Sequence, residues 1–175
     1  MAKLARLMPA PTQPRDSRAG FVIWPQSVEV YQRRIAQSAC CFSAAAGKQL
    51  VGYLLAYDAA TVRQVLLEEM AYEGPILGWV VEQAAGQPFI YIDELVVDAA
   101  WRGRHVAAAL IRHLADVSNR QPIYGAISHA PQRNLVSIAV FRRYLAARCI
   151  GQVDHQGRTW GLYRGRDPQI GRAHV

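Results

Sequence analysis

Apolar residues change their period in the middle of the chain. Residues 91–97 are mostly aromatic or aliphatic, which predicts a strand buried on both faces. Beyond a short turn that ends at Gly103, apolar residues recur at helical spacing, so a core-facing helix is predicted to start near Arg104. The apolar positions of this helix are Val106, Leu110, Leu114 and Val117. The centre of the chain is therefore predicted to be a strand, a tight turn and a helix.

The remaining pattern predicts an α+β fold. The predicted strands are 2–8, 40–46, 49–57, 91–97, 123–128, 149–153 and 159–164. The predicted helices are 28–37, 61–72, the central helix and a helix that begins at Asn134. Strand 123–128 is expected to lie parallel to strand 91–97 in a right-handed βαβ unit. We predict one domain over residues 1–175, with a helical insertion at about 60–86 between two strands.

The first long helix, 28–37, follows Ser27, a residue type that is favoured at the helix N-cap. Val28, Tyr31 and Ile35 lie on one side of this helix. Residues 9–20 are rich in proline and polar side chains, so they are predicted to form a loop, and the polar tail after Gly165 is expected to fray.

Composition narrows the class of protein. The chain has 51% hydrophobic and 19% charged residues, which is typical of a globular protein. The net charge of +7 implies attraction to polyanions such as coenzyme A, nucleic acid or an anionic membrane. Nucleic acid is disfavoured because the basic residues are spread along the chain without zinc-ligand spacing or a basic helix. Three cysteines form no disulfide framework, and no apolar run approaches the ~20 residues of a membrane span, so a cytoplasmic protein is expected.

The turn before the central helix carries a pair of cations. The first turn of a helix leaves backbone N–H groups unpaired and has partial positive charge, so it binds anions. Arg102 and Arg104 add two cationic donors at this place. The sequence therefore predicts a phosphate site, and the alternative is an ordinary strand-to-helix turn with two solvated arginines.

These residues resemble the GNAT superfamily of acetyl-CoA-dependent N-acetyltransferases, whose signature is Arg/Gln-x-x-Gly-x-Gly/Ala after a buried strand. Residues 102–107 read Arg-Gly-Arg-His-Val-Ala, so His105 stands where the family has its first signature glycine. The order of predicted elements matches the family over roughly residues 2–164. The resemblance implies a GNAT-like fold of three layers, with a mixed, mostly antiparallel central sheet and helices on both faces.

The resemblance also implies acetyl-CoA as cosubstrate and no metal. The strand residues before the signature would bind the pantetheine amides through their backbone, and the turn would bind the pyrophosphate. The implied cofactor-binding residues are Leu95, Val96, Val97, Arg102, Gly103, Arg104, His105, Val106, Ala107, Ala108, Asn134 and Ser137. Helix capping explains Asn134 equally well. A β-carbon at His105 is compatible with phosphate binding if the backbone φ there is helical.

Two carboxylates on the central strand are the candidate catalytic groups. Asp93 and Glu94 are adjacent, so in a regular strand they point to opposite faces and at most one of them meets the substrate. Asp93 lies four residues before Val97, where many of the resembled enzymes have an acidic residue at the substrate site, so we rank Asp93 first and Glu94 second. A salt bridge is the alternative role for either carboxylate.

The general acid is less well defined. Phe141 stands where the family often has a tyrosine that protonates the leaving thiolate, and phenylalanine has no proton to donate. Tyr144 is nearby but displaced by about a turn of the helix, and His129 is a further possible base at the end of a strand.

The leading hypothesis is an N-acetyltransferase in which a neutral primary amine attacks the thioester directly and Asp93 accepts its proton. The acceptor is open: a small amine, an amino acid, a protein N-terminus or a lysine. His105 and Phe141 motivate an alternative, a catalytically weak acyl-CoA-binding module, and charge alone suggests a nucleic-acid-binding protein. The insertion is expected to cover the acceptor site, to form a homodimer contact or only to pack. No membrane partner is expected.

Overall fold

The computed structural model describes residues 1, 20, 22–23, 25–66 and 74–165. Its helices are α1 (Val28–Ala36), α2 (Ala59–Thr61), α3 (Gly74–Ala84), α4 (Val106–Val117) and α5 (Leu135–Leu145), with a π-helical turn at Val62–Leu66 and a 3-10 turn at Ala99–Trp101. Its strands are β1 (Phe42–Ala46), β2 (Gln49–Asp58), β3 (Ile90–Val97), β4 (Ile123–Ala130), β5 (Arg148–His155) and β6 (Arg158–Gly165). The predicted strand 2–8, nearly all of the predicted loop 9–20 and the tail from residue 166 lie outside the described residues.

The six strands form one sheet in the order β1-β2-β3-β4-β6-β5. All neighbours are antiparallel except β3 and β4, which are parallel and joined through α4. The predicted mixed, mostly antiparallel sheet is therefore confirmed, and so are the two hairpins β1–β2 and β5–β6. None of the helices in the described part of the chain is long and apolar enough to cross a membrane.

Side chains alternate along the strands and build a core on each face of the sheet. On the face that we call the α1/α3 face, the core includes Tyr31, Tyr53, Leu55, Tyr57, Leu77, Val80, Tyr91, Val96 and Leu162. On the opposite face, which we call the α4/α5 face, it includes Leu54, Ala56, Ile92, Leu110, Ile111, Leu114, Ile127, Ile138 and Phe141. Burial of these side chains holds helices against both faces of the sheet, as predicted.

Helix α1 turns a different side to the core than its apolar spacing predicts. Tyr31 and Arg34 are its buried residues, whereas Val28 and Ile35 stay 52% and 37% exposed. Of the three apolar residues that share one side of this helix, only Tyr31 is therefore buried, and Arg34 is buried beside it. The reason is an ion pair, because the Arg34 guanidinium reaches Asp93 on β3 and a paired charge can be buried.

The segment between β2 and β3 is helical in its described parts, α2 with the π-helical turn and α3. Helix α3 packs over the far edge of the sheet, where the Trp79 ring covers Gly151 of β5 so closely that a β-carbon has no room. The other end of α3 brings Ile76 towards the centre of the sheet, where it is almost fully buried. Residues 67–73, which include the end of the predicted helix 61–72, lie outside the described residues.

Candidate active site

The sheet opens between its two parallel strands. Strands β3 and β4 pair only over residues 90–92 and 123–125. Beyond this point β3 stays paired with β2 and β4 stays paired with β6, so the two parallel strands separate. A cavity of about 410 Å³ lies at the opening, where it is lined by residues 93–97 of β3 and 126–128 of β4. The cavity therefore meets both faces of the sheet.

On the α4/α5 face, the cavity is bounded by the start of α4; we call this part the helix-terminus half. The first hydrogen bond of α4 runs from the Ala109 N–H to the His105 carbonyl, at 2.9 Å. The N–H groups of residues 106–108 precede it and have no acceptor within the helix, which makes this end an anion site. The lining on this side comprises Trp101, Arg102, Gly103, His105, Val106, Ala107, Ala108, Asn134, Val136, Ser137, Val140, Phe141, Arg143 and Tyr144.

The two signature arginines are placed differently. Arg102 is exposed and lines the cavity, where its guanidinium is available to an anion. Arg104 does not line the cavity. Its guanidinium carbon lies 4.9 Å from the centre of the Trp101 ring, which is a cation–π contact. The structure thus brings Arg102, but not Arg104, together with the other predicted cofactor-binding residues.

His105 adopts a backbone conformation that explains the glycine of the signature. Its φ is +61° and its ψ is 14°, in the left-handed region, and Gly103 two residues earlier has φ +74°. The helical φ that would favour a β-carbon at His105 is therefore not found. A left-handed residue costs about 1–2 kcal/mol when it carries a β-carbon, and histidine is one of the few residue types enriched there.

Both candidate carboxylates point to the same face of the sheet. Leu55 of β2 pairs with Glu94, and the next residue, Ala56, pairs with Ile92, so Asp93 is an extra residue in a β-bulge. The bulge shifts the alternation of β3 by one position. The prediction that Asp93 and Glu94 face opposite sides is therefore wrong, and both lie on the α1/α3 face. We call this part of the cavity the carboxylate half.

Asp93 is held in a buried ion pair. The Arg34 Nη1 atom lies 3.0 Å from the Asp93 Oδ2 atom, and the two side chains are only 6% and 5% exposed. The Tyr57 hydroxyl donates a further hydrogen bond to the same oxygen, at 3.2 Å. These partners fix Asp93 in place and stabilise its charge.

The hydrogen-bond partners of Glu94 among the described residues are neutral. The Tyr53 hydroxyl donates a 2.6 Å hydrogen bond to Oε2, and the Tyr31 hydroxyl lies 3.1 Å from each carboxylate oxygen. Burial, and next the negative charge of Asp93, raise the pKa of Glu94 to about 7, although the tyrosine hydrogen bonds and Arg34 oppose this shift. Glu94 can therefore gain or lose a proton near neutral pH, as a general base must.

Helix α5 contributes to the helix-terminus half. The Asn134 Oδ1 atom accepts a 3.1 Å hydrogen bond from the Ser137 N–H, so Asn134 is the N-cap of α5 and also lines the cavity. Phe141 lines the cavity too and packs so closely on Gly125 that a β-carbon there has no room. Tyr144 also lines the cavity and is the hydroxyl-bearing residue nearest to Phe141 along this helix.

His129 is removed from the cavity. It lies within β4, which continues to Ala130, two residues beyond the predicted end of this strand. Its Nε2 atom is 3.0 Å from the Tyr163 hydroxyl and its Nδ1 atom is 3.0 Å from the Gln152 side-chain nitrogen. Burial lowers the pKa of His129. Both ring nitrogens are thus engaged in the structure, and His129 does not line the cavity.

Four residues around the carboxylates escaped the sequence reasoning: Tyr31, Arg34, Tyr53 and Tyr57. Tyr53 and Tyr57 are four residues apart in one strand, so their common face was visible in the sequence. Their contact with the carboxylates was not, because it depends on the pairing register of β2 and β3. Arg34 carried no signal, since a charged residue in an amphipathic helix is normally solvated.

The comparisons with known proteins agree with this architecture. The profile of the acetyltransferase (GNAT) family matches residues 9–146. The chain therefore belongs to the GNAT acetyltransferase family. Among curated proteins, none matches the sequence.

Solved structures share the fold at low sequence identity. A polyamine N-acetyltransferase of Drosophila melanogaster is 15% identical, with 85% of each chain covered and a TM-score of 0.57. Arabidopsis thaliana Naa50, in complex with the bisubstrate analogue CoA-Ac-MVNAL, is 16% identical, with 82% of this chain and 84% of that chain covered and a TM-score of 0.54. The NatC complex bound to Gag peptide and CoA is 13% identical, with 83% of this chain and 82% of that chain covered and a TM-score of 0.58.

Proposed function

We propose that the protein is an acetyl-CoA-dependent N-acetyltransferase in which a primary amine attacks the thioester directly. One observation carries this proposal. A cavity that passes through the opening of the sheet connects the anion-binding start of α4 with the Glu94 carboxylate, whose pKa is about 7. Family membership and the N-acetyltransferase neighbours support it.

In this proposal acetyl-CoA occupies the helix-terminus half. The pyrophosphate meets the N–H groups of residues 106–108 and the guanidinium of Arg102. The pantetheine runs along residues 95–97 of β3. At these residues β3 is no longer paired with β4, because the parallel pairing ends at Ile92. The thioester then reaches the opening of the sheet, where an amine in the carboxylate half can approach it.

We assign the proton acceptor role to Glu94. The amine nitrogen bonds to the thioester carbonyl carbon, the carbon–sulfur bond breaks, the sulfur leaves as a thiolate, and the ammonium proton passes to a Glu94 oxygen. Asp93, which the sequence ranked first, is less suited because Arg34 is bound to it at 3.0 Å. Its negative charge instead helps to keep the pKa of Glu94 high.

The alternative is a catalytically weak acyl-CoA-binding module. It is favoured by Phe141, which supplies no proton where the family often has a tyrosine. It also predicts acetyl-CoA binding, so binding does not separate it from an enzyme. For either function we propose a cytoplasmic location, which suits the free thiols of Cys40, Cys41 and Cys149.

Two measurements test the proposed function. Acetyl-CoA should raise the melting temperature, since it binds only the folded cavity. Thiol release from acetyl-CoA should then depend on an added primary amine. Stabilisation without thiol release from any amine would favour the binding module, and the absence of stabilisation would contradict both functions.

A further inference from the structure

The walls of the carboxylate half are apolar. On the α1/α3 face the cavity is lined by Val22, Ile76, Tyr91, Ala126 and Trp160, next to the carboxylates. Ile76, Tyr91 and Trp160 are only 1%, 3% and 6% exposed, so a molecule bound here touches side chains already withdrawn from water. An acceptor therefore gains free energy in this half by burying a hydrocarbon surface.

Among the residues that the structure describes, the charge available to an acceptor in this half amounts to one carboxylate. Arg34 neutralises Asp93, whereas the hydrogen-bond partners of Glu94 in the described part of the chain are tyrosine hydroxyls. Apart from the tyrosines and the two carboxylates, the charged or titratable residues in the described cavity lining are Arg102, His105 and Arg143. All three belong to the helix-terminus half. A second positive charge on the acceptor would thus be desolvated among apolar walls, where the described residues of the lining offer it no further anion.

We propose that the acceptor is a small primary monoamine whose amine is carried on an apolar body, either aromatic or aliphatic. This inference rests on the proposed function and specifies its substrate class. Glu94 meets the single ammonium and removes its proton, and Ile76 and Trp160 surround the body. Diamines and polyamines are discriminated against because their second ammonium meets apolar side chains and no second free carboxylate in the described part of this wall.

A panel of amines tests the proposal on the unmodified protein. Phenethylamine, hexylamine, ethanolamine and putrescine are compared by kcat/KM for thiol release from acetyl-CoA. Phenethylamine and hexylamine should exceed putrescine and ethanolamine by at least about tenfold, because a single methylene in an apolar pocket already discriminates by that much. A preference for putrescine or ethanolamine would overturn the proposal, and so would a peptide amine that is acetylated faster than all four.

A charge variant sharpens the test. Val22→Asp places a second carboxylate in the apolar wall and should move the ratio of putrescine to hexylamine turnover up by about tenfold. Val28→Asp is the matched control, because Val28 is 52% exposed at the start of α1 and does not line the cavity. An unchanged ratio in a folded Val22→Asp variant would contradict the proposal. If that variant does not fold, the amine panel on the parent still decides.

The panel also separates this inference from the proposed function. Calorimetric binding of acetyl-CoA without turnover of any amine would overturn the N-acetyltransferase proposal, and the acceptor class would fall with it. Turnover with the wrong order of amines would leave the N-acetyltransferase standing and overturn only the apolar monoamine.

Discussion

The two halves of the cavity are built in different ways. In the helix-terminus half, the anion site is formed by backbone N–H groups of one local motif, the start of α4, with Arg102 and His105 exposed beside it. The carboxylate half consists of side chains from α1, β2 and β3 that meet only in the folded protein, and its Arg34–Asp93 pair is almost fully buried. We therefore expect that a change at exposed Arg102 or His105 has little effect on folding, whereas a change in the buried Arg34–Asp93 pair has a large one.

Because the two halves are built differently, we expect substitutions to affect acetyl-CoA binding and proton transfer separately. Backbone N–H groups at a helix terminus bind an anion whatever the side chains are, so affinity in the helix-terminus half tolerates substitutions such as histidine for glycine. The pKa of Glu94 depends on burial, on Asp93 and on two tyrosine hydroxyls, so proton transfer in the carboxylate half depends on several residues at once. Three predictions test this contrast.

The largest effect on stability is expected in the carboxylate half. Asp93→Asn removes the partner of a buried guanidinium and should lower the free energy of unfolding by about 3–5 kcal/mol, measured by urea denaturation. Asp116→Asn removes an exposed carboxylate of α4 and is the control, with an expected change within about 0.5 kcal/mol. Equal stability of the two variants would show that the ion pair does not hold α1 to the sheet.

A smaller effect, on affinity and not on stability, is expected in the helix-terminus half. Arg102→Glu should weaken acetyl-CoA binding by roughly ten- to a hundredfold in calorimetric titration, because a charge-assisted phosphate contact of about 1.5–3 kcal/mol is lost. Arg104→Glu should cost less, since Arg104 stacks on Trp101 and does not itself line the cavity. Arg112→Glu on the exposed side of α4 carries the same charge change and should leave affinity nearly unaltered. Three equal losses would refute a localised phosphate site.

The smallest expected effect is a gain in stability and not a loss. His105→Gly should stabilise the protein by about 1 kcal/mol and raise the melting temperature by roughly 2–4 °C, because glycine adopts φ +61° without strain. Ala109→Gly, at an exposed position within α4, should instead destabilise by about 1 kcal/mol. If both glycine variants melted below the parent, the histidine would be making a stabilising contact that offsets its backbone strain.

Local patterns in the sequence were sufficient for the helix-terminus half. The change of period at the turn predicted β3 and α4, and the arginine pair with Gly103 pointed to phosphate at their junction. The sequence did not predict the left-handed backbone at His105, because glycine is the residue type that indicates this conformation.

The carboxylate half was not accessible in the same way. The β-bulge adds one residue to the strand. Because Asp93 and Glu94 are both charged, this extra residue does not change the pattern of apolar positions. The burial of Arg34 likewise depends on a partner 59 positions away. Sequence reasoning found the two carboxylates and ranked them without the pairing information that distinguishes them.

The pH dependence of kcat/KM in the parent and in Glu94→Gln tests the central claim most directly, with the best amine of the panel. Because the pKa of Glu94 is raised to about 7, its carboxyl is protonated and inactive as a base below this pH and ionised above it. The parent should therefore gain activity through about pH 7, before the further rise from deprotonation of an amine with a pKa near ~10. Glu94→Gln should be about 10²–10⁴-fold slower, lack the inflection near neutral pH and bind acetyl-CoA as the parent does. A Glu94→Gln variant with the parent's rate and the parent's inflection would contradict the account.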